Sequence, residues 1–325
     1  MIGSVPVDLL RSRLDREEWT VTVEVVTPAP DDEAARARVL ALADALRDDD
    51  RVAALTLTDR TIAPNADPIA LAPEVALRSG KAPLVHLAGK GRDRRAVEAT
   101  LRRAGDAGIT SLLLTTGDAL PPLDRAKTPE RAGASPGARD SIDRAGASPG
   151  ACDSIDMLRL ARETTPRIAR AAVIDVRARR PVSEARERAS AKRDAGAGAF
   201  VAQVSWDVAE REIVADWRER LGPPIIGAAM LLTRGRLEFL ACHRIGGIEV
   251  PSALRHRAER ESIDAAMHRL ALDLVMLRRL GYAGAHVSGL LSPARVTALL
   301  DEAESLQTDL GDDWREVWRE AVGIA

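Results

Sequence analysis

Short apolar runs typical of buried strands alternate with amphipathic helical patterns along most of this 325-residue chain. The first run lies at Trp19–Val26 and the last at Ala283–Val287. Each run is followed by a helical pattern, which predicts strands that lie parallel in one sheet. The eight runs predict an α/β fold, a (β/α)8 TIM barrel with extra helices around Pro251. A doubly wound open sheet is the alternative, but no Gly-x-Gly-x-x-Gly turn follows the first strand.

One segment interrupts this alternation. Arg131–Asp143 recurs almost unchanged as Arg144–Asp156. Two copies of a unit rich in Gly, Ala, Ser and Pro are too few for a solenoid. We therefore interpret residues 121–152 as a low-complexity, duplicated loop insertion within a single barrel domain of residues 1–325. The alternative to a passive insertion is a lid that folds over the barrel mouth, as long loops at this face sometimes do.

The composition limits the class of protein. A hydrophobic content of 46% with 30% charged residues is typical of a globular chain. No apolar run approaches the ~18 residues of a membrane span, and charged residues interrupt the N-terminal segment where a signal peptide would be apolar. We therefore expect a cytoplasmic protein that does not bind membranes. Aromatic residues make up only 2%, so the stacking surfaces of nucleic-acid-binding proteins are not expected.

The residues that most often bind metals are few and scattered. The five histidines and two cysteines include no pair at the spacing of metal ligands. We therefore expect no metal site, and in a reducing compartment no disulfide. A phosphate-binding Walker loop is also missing from the sequence.

Polar residues stand at or near the carboxyl ends of five of the expected strands. They are Glu24, Thr58, His86, Asp118 and Gln203. The carboxyl ends of barrel strands face one mouth, so we expect these side chains to converge there. Each also has an ordinary explanation, such as an outward position for Glu24, a core role for His86 and a turn cap for Asp118. Burial of Glu24 among its neighbouring valines would be costly without a use and would raise its pKa.

Several motifs, in matching order and spacing, resemble the methylenetetrahydrofolate reductases, a family of flavin-dependent (β/α)8 barrels. The resemblance extends from about Trp19 to Leu291. The motifs are Val23-Glu24-Val25-Val26-x-Pro28, Leu57-Thr58-Asp59, His86-Leu87, Leu114-Thr115-Thr116-Gly117-Asp118, Lys192-Arg193-Asp194-Ala195-Gly196-Ala197, Gln203 with Asp207, Pro224-Ile225-Ile226, Gly247-Ile248-Glu249-Val250-Pro251 and Gly284-Ala285-His286. Membership would imply an oxidoreductase that reduces 5,10-methylenetetrahydrofolate to 5-methyltetrahydrofolate with NADH or NADPH, through FAD.

The resemblance also implies roles for single residues. Glu24 matches the catalytic acid that protonates the departing N10, a role for which its pKa would have to rise. Asp118 matches the catalytic carboxylate between flavin and pterin. The positions that match flavin contacts are Thr58, His86, Gly117, Asp118 and Lys192, and Gln203 matches a pterin contact. The resemblance implies a folate substrate as the binding partner. Assembly into a homo-oligomer is compatible with the sequence.

The chain departs from the family pattern around the expected pockets. Ala88–Gly91 and Ile174 replace residues that relatives commonly carry there. These changes predict weakened binding of FAD. The alternative hypothesis is therefore a catalytically altered or inactive paralogue that binds folate or a partner reductase without turnover.

Overall fold

The computed structural model describes residues 7–59, 65–89, 91–116, 152–175, 181–243, 248–290 and 292–323. Gly117, Asp118 and nearly all of the duplicated segment lie outside these ranges. The roles that the sequence suggests for Gly117 and Asp118, and the interpretation of residues 121–152 as a passive insertion, therefore stay predictions.

Eight parallel strands close into a barrel in the order β1 to β8, which confirms the predicted (β/α)8 fold. The strands are β1 (Thr20–Val25), β2 (Val52–Leu57), β3 (Leu84–Ala88), β4 (Ser111–Thr115), β5 (Ala169–Ile174), β6 (Ala199–Ala202), β7 (Ile225–Met230) and β8 (Gly284–Ser288). Their bounds agree with the apolar runs of the sequence to within a few residues. The fold is therefore encoded in the hydrophobic pattern.

The described helices follow the strands, except the first, which precedes β1. They are α1 (Leu9–Asp15), α2 (Glu33–Ala45), α3 (Pro68–Ser79), α4 (Arg94–Asp106), α5 (Ser154–Thr164), α6 (Val182–Asp194), α7 (Val208–Leu221), α8 (Arg234–His243), α9 (Ser252–Ala258), α10 (Ile263–Arg279), α11 (Pro293–Asp309) and α12 (Trp314–Val322). The helix α12 is not among the elements expected from the sequence, although Trp314, Trp318 and Val322 form its buried stripe. In the part of the chain that the structure describes, no helix is long and apolar enough to cross a membrane.

Alternation along β1 separates two environments. Val21, Val23 and Val25 are buried against the surrounding helices. The intervening Thr22 and Glu24 point into the barrel, where both contact the same residue of β8. Glu24 is therefore not surrounded by the valines of its own strand, as the sequence analysis expected, but faces the barrel interior.

The amino-terminal half of the barrel interior is filled. Its apolar side chains are Ala53, Ala54, Leu84, Leu113, Ala171, Ala199, Val201 and Ile226. Leu10 of α1 belongs to the same cluster and closes this end of the barrel. The carboxyl ends of the strands are therefore the end at which a ligand can enter, as in other barrels of this type.

The barrel closes at a close approach of β1 and β8. A Cβ atom on Gly284 would lie 2.1 Å from the backbone oxygen of Thr20, so no side chain fits there. Closure at this distance places Thr22 and His286 directly opposite each other in the register of the two strands. The glycine thereby fixes the relative position of the polar residues further along β1 and β8.

A buried polar network joins three helices outside the barrel. Asp273 of α10 accepts hydrogen bonds from Arg211 of α7 at 3.2 Å and from the indole of Trp318 of α12 at 2.6 Å. The side chains of Arg211 and Asp273 are 3% and 1% exposed. Because an unpaired buried charge is costly, this pair constrains how the helices pack.

We expect Asp273→Ala to lower the free energy of unfolding by about 3–5 kcal/mol, since it leaves the Arg211 guanidinium buried without its counter-charge. The matched control is Glu212→Ala, which removes the partner of Arg315 in an ion pair whose side chains are 47% and 42% exposed. That control should cost less than about 1 kcal/mol. Urea denaturation of both variants provides the measurement, and equal losses would contradict the assigned role of Asp273.

Candidate functional site at the barrel mouth

A chain of hydrogen bonds crosses the seam between β1 and β8. The imidazole of His286 contacts the Thr22 hydroxyl through Nδ1 at 2.9 Å and the Glu24 carboxylate through Nε2 at 3.2 Å. His286 is 6% exposed and the Glu24 side chain 25% exposed. The ring is thus fixed at both nitrogens, and Glu24 is the member of the chain that is open to a ligand.

His86 on β3 joins this pair from another side of the barrel. Its ring centroid lies 5.9 Å from that of His286. Its Nε2 atom is buried and has no hydrogen-bond partner in the described residues. One ligand atom from each of Glu24, His86 and His286 can be chosen so that all three lie within 4.8 Å of one another. We refer to these three residues as the Glu–His–His cluster.

The electrostatics of Glu24 differ from the expectation of the sequence analysis. Burial alone raises the pKa of Glu24, but the hydrogen bond from His286 and the positive potential of His286, His86 and Arg236 outweigh burial and hold that pKa below its usual range. The expected rise in the pKa is therefore wrong. Glu24 is held as a carboxylate near neutral pH, which suits a hydrogen-bond acceptor or a metal ligand better than a general acid.

His86 is held in its neutral form by a different cause. Burial is the main effect, and it lowers the pKa of His86 to about 4, although the nearby Glu24 carboxylate opposes it. An uncharged imidazole at neutral pH keeps one nitrogen lone pair available. His86 was predicted as a site residue from its position at a strand end, but its lowered pKa was not predicted.

Arg236 on α8 supplies a positive charge near Glu24. Its guanidinium stacks over the Phe239 ring at 4.9 Å. Gly289 approaches it after β8 in a left-handed conformation with φ of 91°, and a Cβ atom there would lie 3.2 Å from Arg236 Nη2. Burial lowers the pKa of Arg236, and the Glu24 carboxylate opposes that shift. Arg236 was not among the residues that the sequence analysis selected.

The other predicted site residues hold loops and strands together. The Thr58 hydroxyl accepts a hydrogen bond from the Thr27 backbone at 3.2 Å, and Lys192 donates to the Val173 carbonyl at 2.6 Å. The side chain of Gln203 accepts from the backbone of Val204 at 3.0 Å. None of these three contacts joins the Glu–His–His cluster. Their proposed roles toward FAD and folate stay predictions.

Asp59 stabilises the backbone at the ends of β2 and β3, next to the mouth. Its carboxylate accepts a hydrogen bond from the Ala88 backbone at 2.8 Å and forms an ion pair with Arg92. These contacts tie the end of β2 to the end of β3, two residues beyond His86. Asp59 thereby fixes the strand that carries His86.

The contact of His286 with Glu24 was not predicted from the sequence. The two residues are 262 positions apart, so no local motif connects them. A signal was nevertheless present, because β1 and β8 become neighbours in any closed eight-stranded barrel. His286 alternates with the apolar Ala285 and Val287, which indicates a side chain that faces the interior.

A groove of about 320 Å³ lies at the opposite end of the barrel, near Trp19 and Arg278. Arg51 in this groove forms ion pairs with Glu304, which also lines it, and with Asp49 and Asp301. These contacts stabilise the packing of α11 against the barrel, so we place the functional site at the mouth instead.

Comparisons with known proteins give the fold but no family. No protein-family model matches the chain, and no curated protein matches it. Among solved structures, an uncharacterized Clostridium thermocellum protein that binds two copies of 5-methyl-5,6,7,8-tetrahydrofolic acid matches with a TM-score of 0.62 and 13% identity, over 93% of this chain and 100% of that one. Oxaloacetate acetylhydrolase, in complex with 3,3-difluorooxalacetate, matches with a TM-score of 0.50 and 14% identity, over 98% and 94%. A 2,3-dimethylmalate lyase of the PEP mutase/isocitrate lyase superfamily matches with a TM-score of 0.49 and 15% identity, over 97% and 93%.

These findings overturn the resemblance to the methylenetetrahydrofolate reductases. Of the neighbours named above, those with a TM-score of at least 0.50 are a hydrolase and a folate-binding protein, and no family model matches the chain. The identification as a reductase is therefore wrong, and so is the predicted NAD(P)H-dependent oxidoreductase activity. At such low identities the neighbours show the barrel fold alone, so no lyase or hydrolase activity follows from them.

We expect acid to destabilise the protein, with EDTA present, over two pH ranges. The unfolded chain takes up a proton at His86 below about pH 6.5, whereas the folded protein does so only near its pKa of about 4. Stability therefore falls by up to about 3 kcal/mol as the pH drops between these values. Glu24 adds a further loss as the pH falls through its lowered pKa.

The measurement is the free energy of unfolding by urea as a function of pH. His86→Gln should flatten the dependence between about pH 6.5 and pH 4 and keep the loss at lower pH. The matched control is His268→Gln, because His268 is a surface residue whose side chain is 49% exposed. An unchanged profile in the His86 variant would contradict the assignment.

Proposed function

We propose that this protein binds a reduced folate, with the pterin ring in the barrel mouth and Glu24 as its main polar contact. The observation that carries the proposal is the Glu24 carboxylate at the mouth, which His286 holds in place and which stays partly exposed. The pterin ring of a folate presents a ring N–H and an amino group side by side. A charged carboxylate is the acceptor that such a donor edge prefers.

The geometry leaves Glu24 free for this contact. Its Oε2 atom accepts from His286, and the side chain is 25% exposed. The remaining lone pairs of the carboxylate can therefore accept from a ligand. His286 is itself fixed by Thr22, so the carboxylate is oriented before a ligand arrives. Preorganisation of this kind reduces the entropy lost on binding.

The wall of the mouth suits a flat ring. Val173 near the end of β5 is half-buried, and Met230 at the end of β7, two strands further round the barrel, is buried. Apolar surface of this kind can cover the two faces of a pterin, while its polar edge contacts Glu24. The p-aminobenzoyl-glutamate part of the ligand would extend out of the mouth toward solvent.

A structural neighbour supports the choice of ligand. The Clostridium thermocellum protein of the same fold, which covers nearly the whole chain, binds 5-methyltetrahydrofolic acid. We propose binding only, because the charged state of Glu24 argues against the acid step of the reductase reaction. A cytoplasmic location, where reduced folates are protected by the reducing environment, is part of the same proposal.

We expect Glu24→Gln to weaken the binding of 5-methyltetrahydrofolate by roughly 10- to 100-fold, since a hydrogen bond to a charged group contributes about 1.5–3 kcal/mol. Isothermal titration calorimetry, with EDTA present, measures the dissociation constants. The matched control is Glu163→Gln on α5, where the side chain is 63% exposed and lies outside the mouth. This control should bind as the wild type does. Absence of binding by the wild type, or equal binding by both variants, would refute the proposal.

A further inference from the structure

We propose that the Glu–His–His cluster binds a divalent transition-metal ion such as Zn²⁺ at the floor of the mouth. The cluster contributes two imidazole nitrogens and one carboxylate oxygen from Glu24, His86 and His286. This donor set suits Zn²⁺, Co²⁺ and Fe²⁺, and it leaves coordination positions open for water or a ligand. The inference goes beyond the proposed binding of folate and does not depend on it.

The distances require little rearrangement. In a tetrahedral site with bonds of about 2.0–2.1 Å, neighbouring ligand atoms lie roughly 3.3 Å apart. Glu24 Oε2 and His286 Nε2 already lie 3.2 Å apart. All three ligand atoms lie within 4.8 Å of one another, so the third ligand needs to move by at most roughly 1.5 Å. A small rotation of the His86 side chain supplies such a movement.

His286 has the supporting contact that metal-bound histidines use. Its Nδ1 lies 2.9 Å from the Thr22 hydroxyl, which can accept the Nδ1 proton. That tautomer leaves the Nε2 lone pair for the metal, whereas the metal-free form can keep the proton on Nε2 and donate it to Glu24. Outer hydrogen bonds of this type orient the ring and strengthen it as a ligand.

Two buried polar atoms on the same side of the barrel support the inference independently. His86 Nε2 and Thr56 Oγ1 are buried, and neither has a hydrogen-bond partner among the residues that the structure covers. Thr56 lies opposite Glu24 in the register of β1 and β2. An unsatisfied buried polar group costs about 1–3 kcal/mol. A metal ion would satisfy His86, and a water molecule bound to that ion would give Thr56 a partner.

The metal and the pterin contact can coexist on one carboxylate. A carboxylate can bind a metal through one oxygen and accept a hydrogen bond through the other. The metal would bind Oε2, which lies on the His286 side, and the open side of Glu24 would stay available at the mouth. The two proposals therefore use different sides of the Glu24 carboxylate, and either one can be wrong while the other is right.

The test measures metal binding by the folate-free, full-length protein after treatment with EDTA and dialysis. Zn²⁺ affinity is determined by competition with a chromophoric chelator, and Co²⁺ is added separately to record its visible absorption. We expect one equivalent of Zn²⁺ to bind and the Co²⁺ spectrum to indicate coordination by nitrogen at low coordination number. We also expect the melting temperature to rise with Zn²⁺, because a metal that binds only the folded state stabilises it.

Single variants identify the ligands. His86→Gln and His286→Gln should each weaken Zn²⁺ binding by at least about 100-fold, which exceeds the usual effect of losing an outer contact. His268→Gln is the matched control, since His268 is an exposed histidine that pairs with Glu302 outside the mouth. Circular dichroism and a melting curve without metal confirm that each variant is folded. If His86→Gln is unfolded, His86→Asn takes its place.

The outcomes separate this inference from the proposed function. No Zn²⁺ binding by the wild type, or binding that the His86 and His286 variants leave unchanged, would overturn the metal site. Titration of the EDTA-treated protein with 5-methyltetrahydrofolate tests the folate proposal without metal. A protein that binds Zn²⁺ through the cluster but binds no folate would support the inference and refute the proposed function.

Discussion

The contact between Glu24 and His286 across the β1–β8 seam is the interaction on which the mouth depends. It forms because the barrel closes tightly at Gly284, where no side chain fits between the strands. Closure sets the register, the register places His286 opposite Thr22, and the imidazole then reaches Glu24 one inward position further along β1. A backbone constraint at the amino-terminal end of the seam thus determines the polar geometry at its carboxyl end.

That geometry also determines the chemistry available to Glu24. Burial raises the pKa of a carboxyl group, and in an apolar pocket it would produce a general acid. Here the hydrogen bond from His286, together with nearby positive charge, reverses the sign of the shift. The same residue that sequence reasoning selected as a proton donor is therefore an acceptor. The electrostatics of the site thus give no support to a proton-donor role, and the comparisons separately give none to a reductase.

The sequence predicted the barrel because its information is local. Each strand carries an apolar run, and several of the helices between them carry an amphipathic stripe, so alternation alone identifies eight repeats. The site could be predicted only in part. Glu24 and His86 stand at strand ends and were selected for that reason, but His286 becomes their neighbour only when the first and last strands meet. The charge state of Glu24 depends on the contact between β1 and β8. The residues next to Glu24 in the sequence therefore give no information about it.

The wrong family assignment has a physical cause as well. Motifs such as Leu57-Thr58-Asp59 and the segment around Lys192 match because every barrel needs hydrogen bonds at its strand ends. In this structure Thr58 joins β1 to β2, Asp59 joins β2 to β3, and Lys192 binds the carbonyl of Val173 on β5. Residues that hold the strand ends together can be the same in barrels with different activities. Buried polar atoms without a hydrogen-bond partner, in contrast, indicate where a ligand binds. By that criterion the Glu–His–His cluster, with the buried and unpartnered Nε2 of His86, is more informative about function than the motifs that first suggested one.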